Sequence, residues 1–201
     1  MKPEQPMTEL ESLAIIRNMI NAAKTEQKDN GRSWIIWGWL LFAVSFLTAL
    51  NLRFIWSQQT FFFWNLFGVF SIALFVFESI KKLANKNKNL VRTYYQDLFK
   101  ILKIGFFISL AFIVFNMNIG LSPYRGFGLL INLYAFWILL YGAVSNFKPS
   151  IIAAFICWAL AIACLFVKRI DYLMYLHAAA ALVGYIIPGY LANRAFKKNI
   201  L

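Results

Sequence analysis

The chain has 201 residues, 61% of them hydrophobic and only 14% charged, with a formal net charge of +12. Soluble domains of this size are nearer half apolar and a quarter charged, and still leave roughly 30% of their unfolded surface in water. The composition therefore excludes a water-soluble globule, and because the cations flank apolar stretches instead of forming one stripe, it also excludes a nucleic-acid interface.

Residues 1–32 are predicted to form a cytoplasmic amphipathic helix and its closing turn. Thr8 with Glu11 reads as a capping box. Leu10, Leu13, Ile16, Ile20 and Ala23 recur at helical spacing, while Asn18, Asn21 and Lys24 fall largely elsewhere on the wheel. Asp29-Asn30-Gly31 supplies the stop. Such a helix has three uses: lying on the inner leaflet, packing on a basic connection, or pairing with a helix of a cytoplasmic protein partner. This polar start, with acids among its bases, is unlike a cleavable leader, so the first span is expected to stay as an anchor.

Residues 33–192 hold six apolar stretches, over about 33–50, 60–79, 104–121, 127–147, 150–167 and 172–192. Each is long enough for about 30 Å of hydrocarbon at roughly 1.5 Å per residue. Barrel strands would be about half as long and would alternate in polarity. The expected fold is an all-α membrane protein, six transmembrane helices in three hairpins behind the N-terminal helix. Trp34, Trp37 and Trp39, with Trp56 and Trp64 at the other end, read as boundary anchors.

The connection at 81–103 is polybasic and should attract anionic lipid by roughly 1 kcal/mol per cation. Residues 193–201 form a basic tail. On one side of the predicted topology lie Lys2, Arg17, Lys24, Lys28, Arg32, Lys81, Lys82, Lys86, Lys88, Arg92, Lys100, Lys103, Lys148, Arg194, Lys197 and Lys198. Only Arg53, Arg125, Lys168 and Arg169 lie on the other. The larger set belongs in the cytoplasm, which places both termini inside a bacterial inner membrane.

His177 falls about five residues into span six. An intramembrane ionisable residue is a functional-site candidate; the alternative is a neutral histidine bonded to a neighbouring helix. Glu78 ends span two just before Lys81 and Lys82, where it either pairs with them or serves as an ion ligand. Asn132, with Asn116 and Asn118, suits interhelical hydrogen bonds. Together His177, Asn132 and Glu78 form the candidate intramembrane polar site. A histidine in the last of six spans is also the arrangement of intramembrane serine proteases, but no Gly-x-Ser-x-Gly element presents a nucleophile. No catalytic set, cofactor motif or metal cluster emerges from the sequence.

Span five carries a small-residue stripe, Ser150, Ala153, Cys157, Ala161 and Cys164, and span six has Ala180 and Gly184. Small residues allow close backbone approach, so spans five and six are expected to form a tight hairpin. Pro188 and Gly189 should bend span six near its inner end. Asn65-Leu66-Phe67-Gly68 and Asn132-Leu133-Tyr134-Ala135, each followed by a lysine at the same interval, suggest either stacked hairpin repeats or coincidence in a biased composition.

Several short motifs recur in a fixed order: Trp37-Gly38-Trp39 behind the amphipathic helix, Arg92-Thr93-Tyr94, Leu140-Tyr141-Gly142, Phe147-Lys148-Pro149, Cys157-Trp158, and Ile186-Ile187-Pro188-Gly189-Tyr190 before a basic tail. In these the chain resembles, over nearly its whole length, a group of uncharacterised six-span bacterial membrane proteins. The resemblance implies the topology and hints at a sensory or accessory role. The expectation is a non-enzymatic accessory or sensory membrane protein. The alternative is a small-solute transporter or channel subunit with a path near His177, Asn132 and Glu78.

Overall fold

The computed structural model describes residues 31–55, 59–84 and 94–198, without the side chains of residues 72, 74–76, 78–79, 81–84 and 94–97. The amphipathic helix, the middle of the polybasic connection and the last three residues lie outside the described residues. Among the described residues the fold is entirely helical: α1 (Arg32–Phe54), α2 (Phe62–Ala84), α3 (Tyr94–Asn118), α4 (Pro123–Val144), α5 (Lys148–Cys164), α6 (Ile170–Ala181), a π-helical turn (Leu182–Ile186) and α7 (Ile187–Lys198). Four helices are long and apolar enough to cross a membrane: α1, α3, α4 and the continuous run Ile170–Lys198. The 17-residue α5 and the apolar stretch Phe62–Ser71 of α2 are shorter.

The centre is built by α1, α4, α5 and the Ile170–Lys198 run, while the backbones of α2 and α3 approach α1 and α4 respectively. The described side chains of α3 point largely outward, with Ile104, Phe107, Ile108, Phe112 and Phe115 all exposed. A helix apolar on every side fits a lipid environment. A stacked hairpin repeat places α2 and α4 in equivalent surroundings. Instead α4 is central and α2 peripheral.

The closest consecutive pair is α4 with α5, not spans five and six. The turn between them explains this. Asn146 adopts φ 49°, a left-handed conformation that asparagine tolerates. Phe147 N–H then donates to the Gly142 carbonyl at 2.8 Å, closing a Schellman-type end, and Pro149 starts the next helix at once. The small stripe of α5 meets glycines of α4 at both ends. A Cβ at Gly142 would lie 3.0 Å from the Ser150 Cβ, and one at Gly128 3.4 Å from the Ala161 carbonyl oxygen and 3.7 Å from the Cys164 Cβ. Cys157, on the same stripe, faces the last helix instead: its Sγ would lie 3.0 Å from a Cβ at Gly184 and reaches the Ala180 carbonyl at 3.6 Å. The predicted Ala180/Gly184 face is thus in contact with span five, but over a shorter length than α4 is.

The first and last helices run antiparallel in close contact. Gly31 lies against Gly189, Gly38 against Tyr185 and Ile186, and Ser45 against His177. Gly31, Gly38 and Ser45 are seven residues apart, two helical turns, so they share one face. The last helix departs from α-helical geometry next to its proline. Pro188 has no amide hydrogen, and its ring crowds the carbonyl four residues back, at Gly184. The chain relieves this by widening to a π turn over Leu182–Ile186, in which Ile187 N–H donates to the Leu182 carbonyl.

A Cβ at Gly38 would sit 2.8 Å from the Tyr185 Cβ, whereas nothing lies within 4 Å of one at Gly68. Gly38→Val should therefore lower stability by about 1–3 kcal/mol, read as a drop in Tm in detergent, while Gly68→Ala should leave Tm unchanged or slightly raised. Equal behaviour of the two variants would contradict the close contact.

Candidate functional site

His177 lies on α6 about 10 Å along the helix from Ile170, and it is completely buried. Three other helices converge on it. Ser45 of α1 supplies an Oγ 2.8 Å from His177 Nδ1. Trp64 of α2, Phe127 of α4 and Tyr134 of α4 surround the imidazole, with ring centroids at 5.1, 5.4 and 5.6 Å and near-perpendicular planes. Edge-to-face packing of this kind matches the positive rim of one ring to the negative face of the next.

The hydrogen positions follow from the contacts. Ser45 has one hydroxyl hydrogen. Its Oγ also lies 2.7 Å from the Leu41 carbonyl oxygen, which can only accept, so the hydrogen goes there. The contact with His177 must then be Nδ1–H donating to Ser45 Oγ. In a neutral imidazole this leaves the lone pair on Nε2. Among the described residues, His177 Nε2 and Trp64 Nε1 are both buried and without a hydrogen-bond partner. One can only accept and the other can only donate, so the two are chemically complementary.

A serine and a histidine within hydrogen-bond reach resemble a nucleophile and its base, a pairing that the sequence did not reveal. The direction of the bonds opposes that role. The serine hydrogen points to Leu41 rather than to the imidazole, and both side chains are fully buried. Ser45 sits in mid-helix, where neighbouring amides are committed to α1 and offer no oxyanion donors. What the pair does is link α1 to α6. Thr48 and Asn51 continue this buried polar row. Thr48 Oγ1 donates to the Val44 carbonyl at 2.7 Å, and Asn51 Nδ2 donates to the Gln59 carbonyl at 3.3 Å, pinning the connection to α2.

The other predicted residues lie elsewhere. Asn132 is exposed; two residues before Tyr134, it points to the opposite side of α4. Glu78 is in α2, and its side chain lies outside the described residues. Among the described residues the bonds of Asn116 and Asn118 stay within their own helix and do not cross to another as expected: each Nδ2 donates to the carbonyl four residues back, Phe112 at 2.7 Å and Val114 at 2.8 Å. Pro188 and Gly189 are buried against α1, with a Cβ at Gly189 3.2 Å from the Trp34 Cβ. Two of the tryptophans read as boundary anchors also make contacts inside the bundle. Trp34 is buried between Tyr141 and Tyr185, and Trp64 packs on His177.

At the opposite mouth of α6, Asp171 accepts from Arg169 Nε at 3.1 Å and Nη2 at 2.8 Å. The guanidinium also lies 5.0 Å from the Tyr172 ring centroid. Arg169 is mostly exposed, so this pair adds little to stability. A groove here is lined by Val167, Lys168, Arg169, Tyr172, Tyr175 and Leu176, not by His177.

No family model, curated protein or solved structure matches the chain.

Ser45→Ala would leave the buried Nδ1–H without an acceptor, a loss of about 1–3 kcal/mol. Nitrogen-15 NMR of the wild-type histidine should report a neutral ring protonated on Nδ1. Protonation on Nε2, together with an unchanged Tm for Ser45→Ala, would contradict the assignment.

Proposed function

We propose that the chain is a six-span protein of a bacterial inner membrane with both termini in the cytoplasm, acting as a non-enzymatic accessory or sensory component. The observation that carries the reading is the state of its one intramembrane histidine. The imidazole is enclosed by three rings and spends its Nδ1–H on a serine of another helix, which is the use of a structural clamp.

The count of six rests on packing and charge. α5 runs back along α4, from Gly142 and Ser150 at one end to Gly128 and Cys164 at the other, so where α4 crosses, α5 crosses with it. If α2 and α5 did not cross, Lys81 to Lys103 would fall outside, against the preference of cations for the cytoplasm. Gly31 beside Gly189 and Ala192 also sets the two described ends on one side of the bundle. A partner in this reading docks on the N-terminal amphipathic segment and the basic connection, the two largest parts of the chain outside the apolar spans.

A transporter or channel subunit is the second reading. It is favoured by Trp64 Nε1 and His177 Nε2, a buried donor and acceptor left unpartnered among the described residues. It predicts altered flux of a small solute in His177→Ala, and flux unchanged for every solute tested counts against it.

For the leading reading, full-length protein and a variant lacking residues 1–28 are compared in cells, each carrying Lys86→Cys. A membrane-impermeant thiol reagent should label that position only after permeabilisation in both proteins. Crosslinked partners should be recovered from the full-length protein alone. Recovery of the same partners from the truncated protein, or labelling in intact cells, would overturn this reading.

A further inference from the structure

At the end of the bundle where Gly31 meets Gly189, a second groove opens between the first turns of α1 and the outer face of α7. Its lining is graded. Ile35, Ile187 and Leu191 form an apolar stretch, Tyr190 stands beside them, and Asn193, Arg194 and Lys197 follow further along α7. On α7, positions 187, 190, 191, 194 and 197 recur at helical spacing, so they form one continuous strip about 15 Å long. Along it the chemistry passes from aliphatic, through an aromatic hydroxyl, to two cations. Ile187, Tyr190 and Leu191 are all substantially exposed, and both basic side chains are exposed as well.

We propose that this groove is a binding site for an acidic glycerophospholipid of the cytoplasmic leaflet. The phosphodiester sits between Arg194 and Lys197, and an acyl chain lies along Ile35, Ile187 and Leu191. Charge complementarity selects an anion. The apolar stretch selects a lipid over a soluble phosphate, because only an amphiphile has a body to cover that surface; the proposal rests on the membrane topology proposed above, in which the groove's cationic end faces the headgroups. Tyr190 stands at the boundary, where an aromatic ring with one polar end is favoured. This differs from the diffuse attraction of the polybasic connection, which requires charge but no shaped apolar wall. The proposal assigns the seven-residue-spaced pair Ile187 and Arg194 to opposite ends of one ligand.

The test is native mass spectrometry of the full-length protein in detergent doped with phosphatidylglycerol or with phosphatidylcholine. Wild-type protein should retain phosphatidylglycerol in preference to phosphatidylcholine. Arg194→Gln with Lys197→Gln should weaken that retention by about tenfold or more, since two cations near the headgroup are lost. A control with Arg125→Gln and Lys168→Gln removes the same charge from exposed positions of the opposite face and should retain lipid as wild type does. All four side chains are exposed, so Tm should be unchanged in both variants and a folding defect is separable. Millimolar inorganic phosphate should fail to displace the bound lipid. Equal retention by the two double variants, or displacement by phosphate, would overturn the proposal; the first would mean attraction to net charge and the second a simple anion site.

Discussion

The close antiparallel contact between the first and last helices is what the rest of the fold depends on. In lipid, burying apolar side chains gives no net drive for helices to associate, because the acyl chains are as apolar as leucine. Association must come from dense packing and from polar groups that find partners. Both are present along this seam. Gly31, Gly38 and Gly189 let the backbones meet, and the Ser45–His177 hydrogen bond joins them where glycine ends. Segments at opposite ends of the chain are thereby drawn into one unit, with α4 and α5 filling the space beside it.

In the membrane reading proposed above, the histidine fixes how the helices align. A polar side chain inside a bilayer is costly to leave unpaired, so a pair that forms only in one register penalises every other register. Ser45 and His177 satisfy each other only when α1 and α6 are aligned as they are here. The same logic accounts for Thr48, whose hydroxyl returns to its own helix, and for Asn51, which fixes the loop into α2. The π turn lies on the same seam: Tyr185 and Ile186, the residues that cover Gly38, belong to it. The strain introduced by Pro188 is thus absorbed at the contact itself.

The helices themselves were legible, because runs of apolar residues between cations and turn signals report directly on what can lie in hydrocarbon. Their partners were not. A leucine facing lipid and a leucine facing a helix look alike in sequence, so the small stripe of α5 announced a close approach without naming its neighbour. The turn Ser145-Asn146-Phe147, ahead of Pro149, held the missing information about α4. The inward contacts of Trp34 and Trp64 were hidden for a related reason, since an indole at a span's end suits the boundary and a helix contact equally. His177 stood out as the single histidine, but its partner lies 132 residues away. The available signal was the spacing of Gly31, Gly38 and Ser45 and the polar row Ser45, Thr48 and Asn51, which mark one side of α1 as helix-facing.

Disulfide trapping across the seam tests the central claim most directly. A sulfur in place of Ile35 Cγ1 would lie 2.9 Å from a Cβ at Gly189, within the reach of a disulfide. Ile35→Cys with Gly189→Cys, oxidised in native membranes and cut by protease at a site introduced in the 85–93 connection, should leave the two fragments covalently joined until reductant is added. Fragments that separate without reductant, while both thiols remain reactive, would contradict the antiparallel seam.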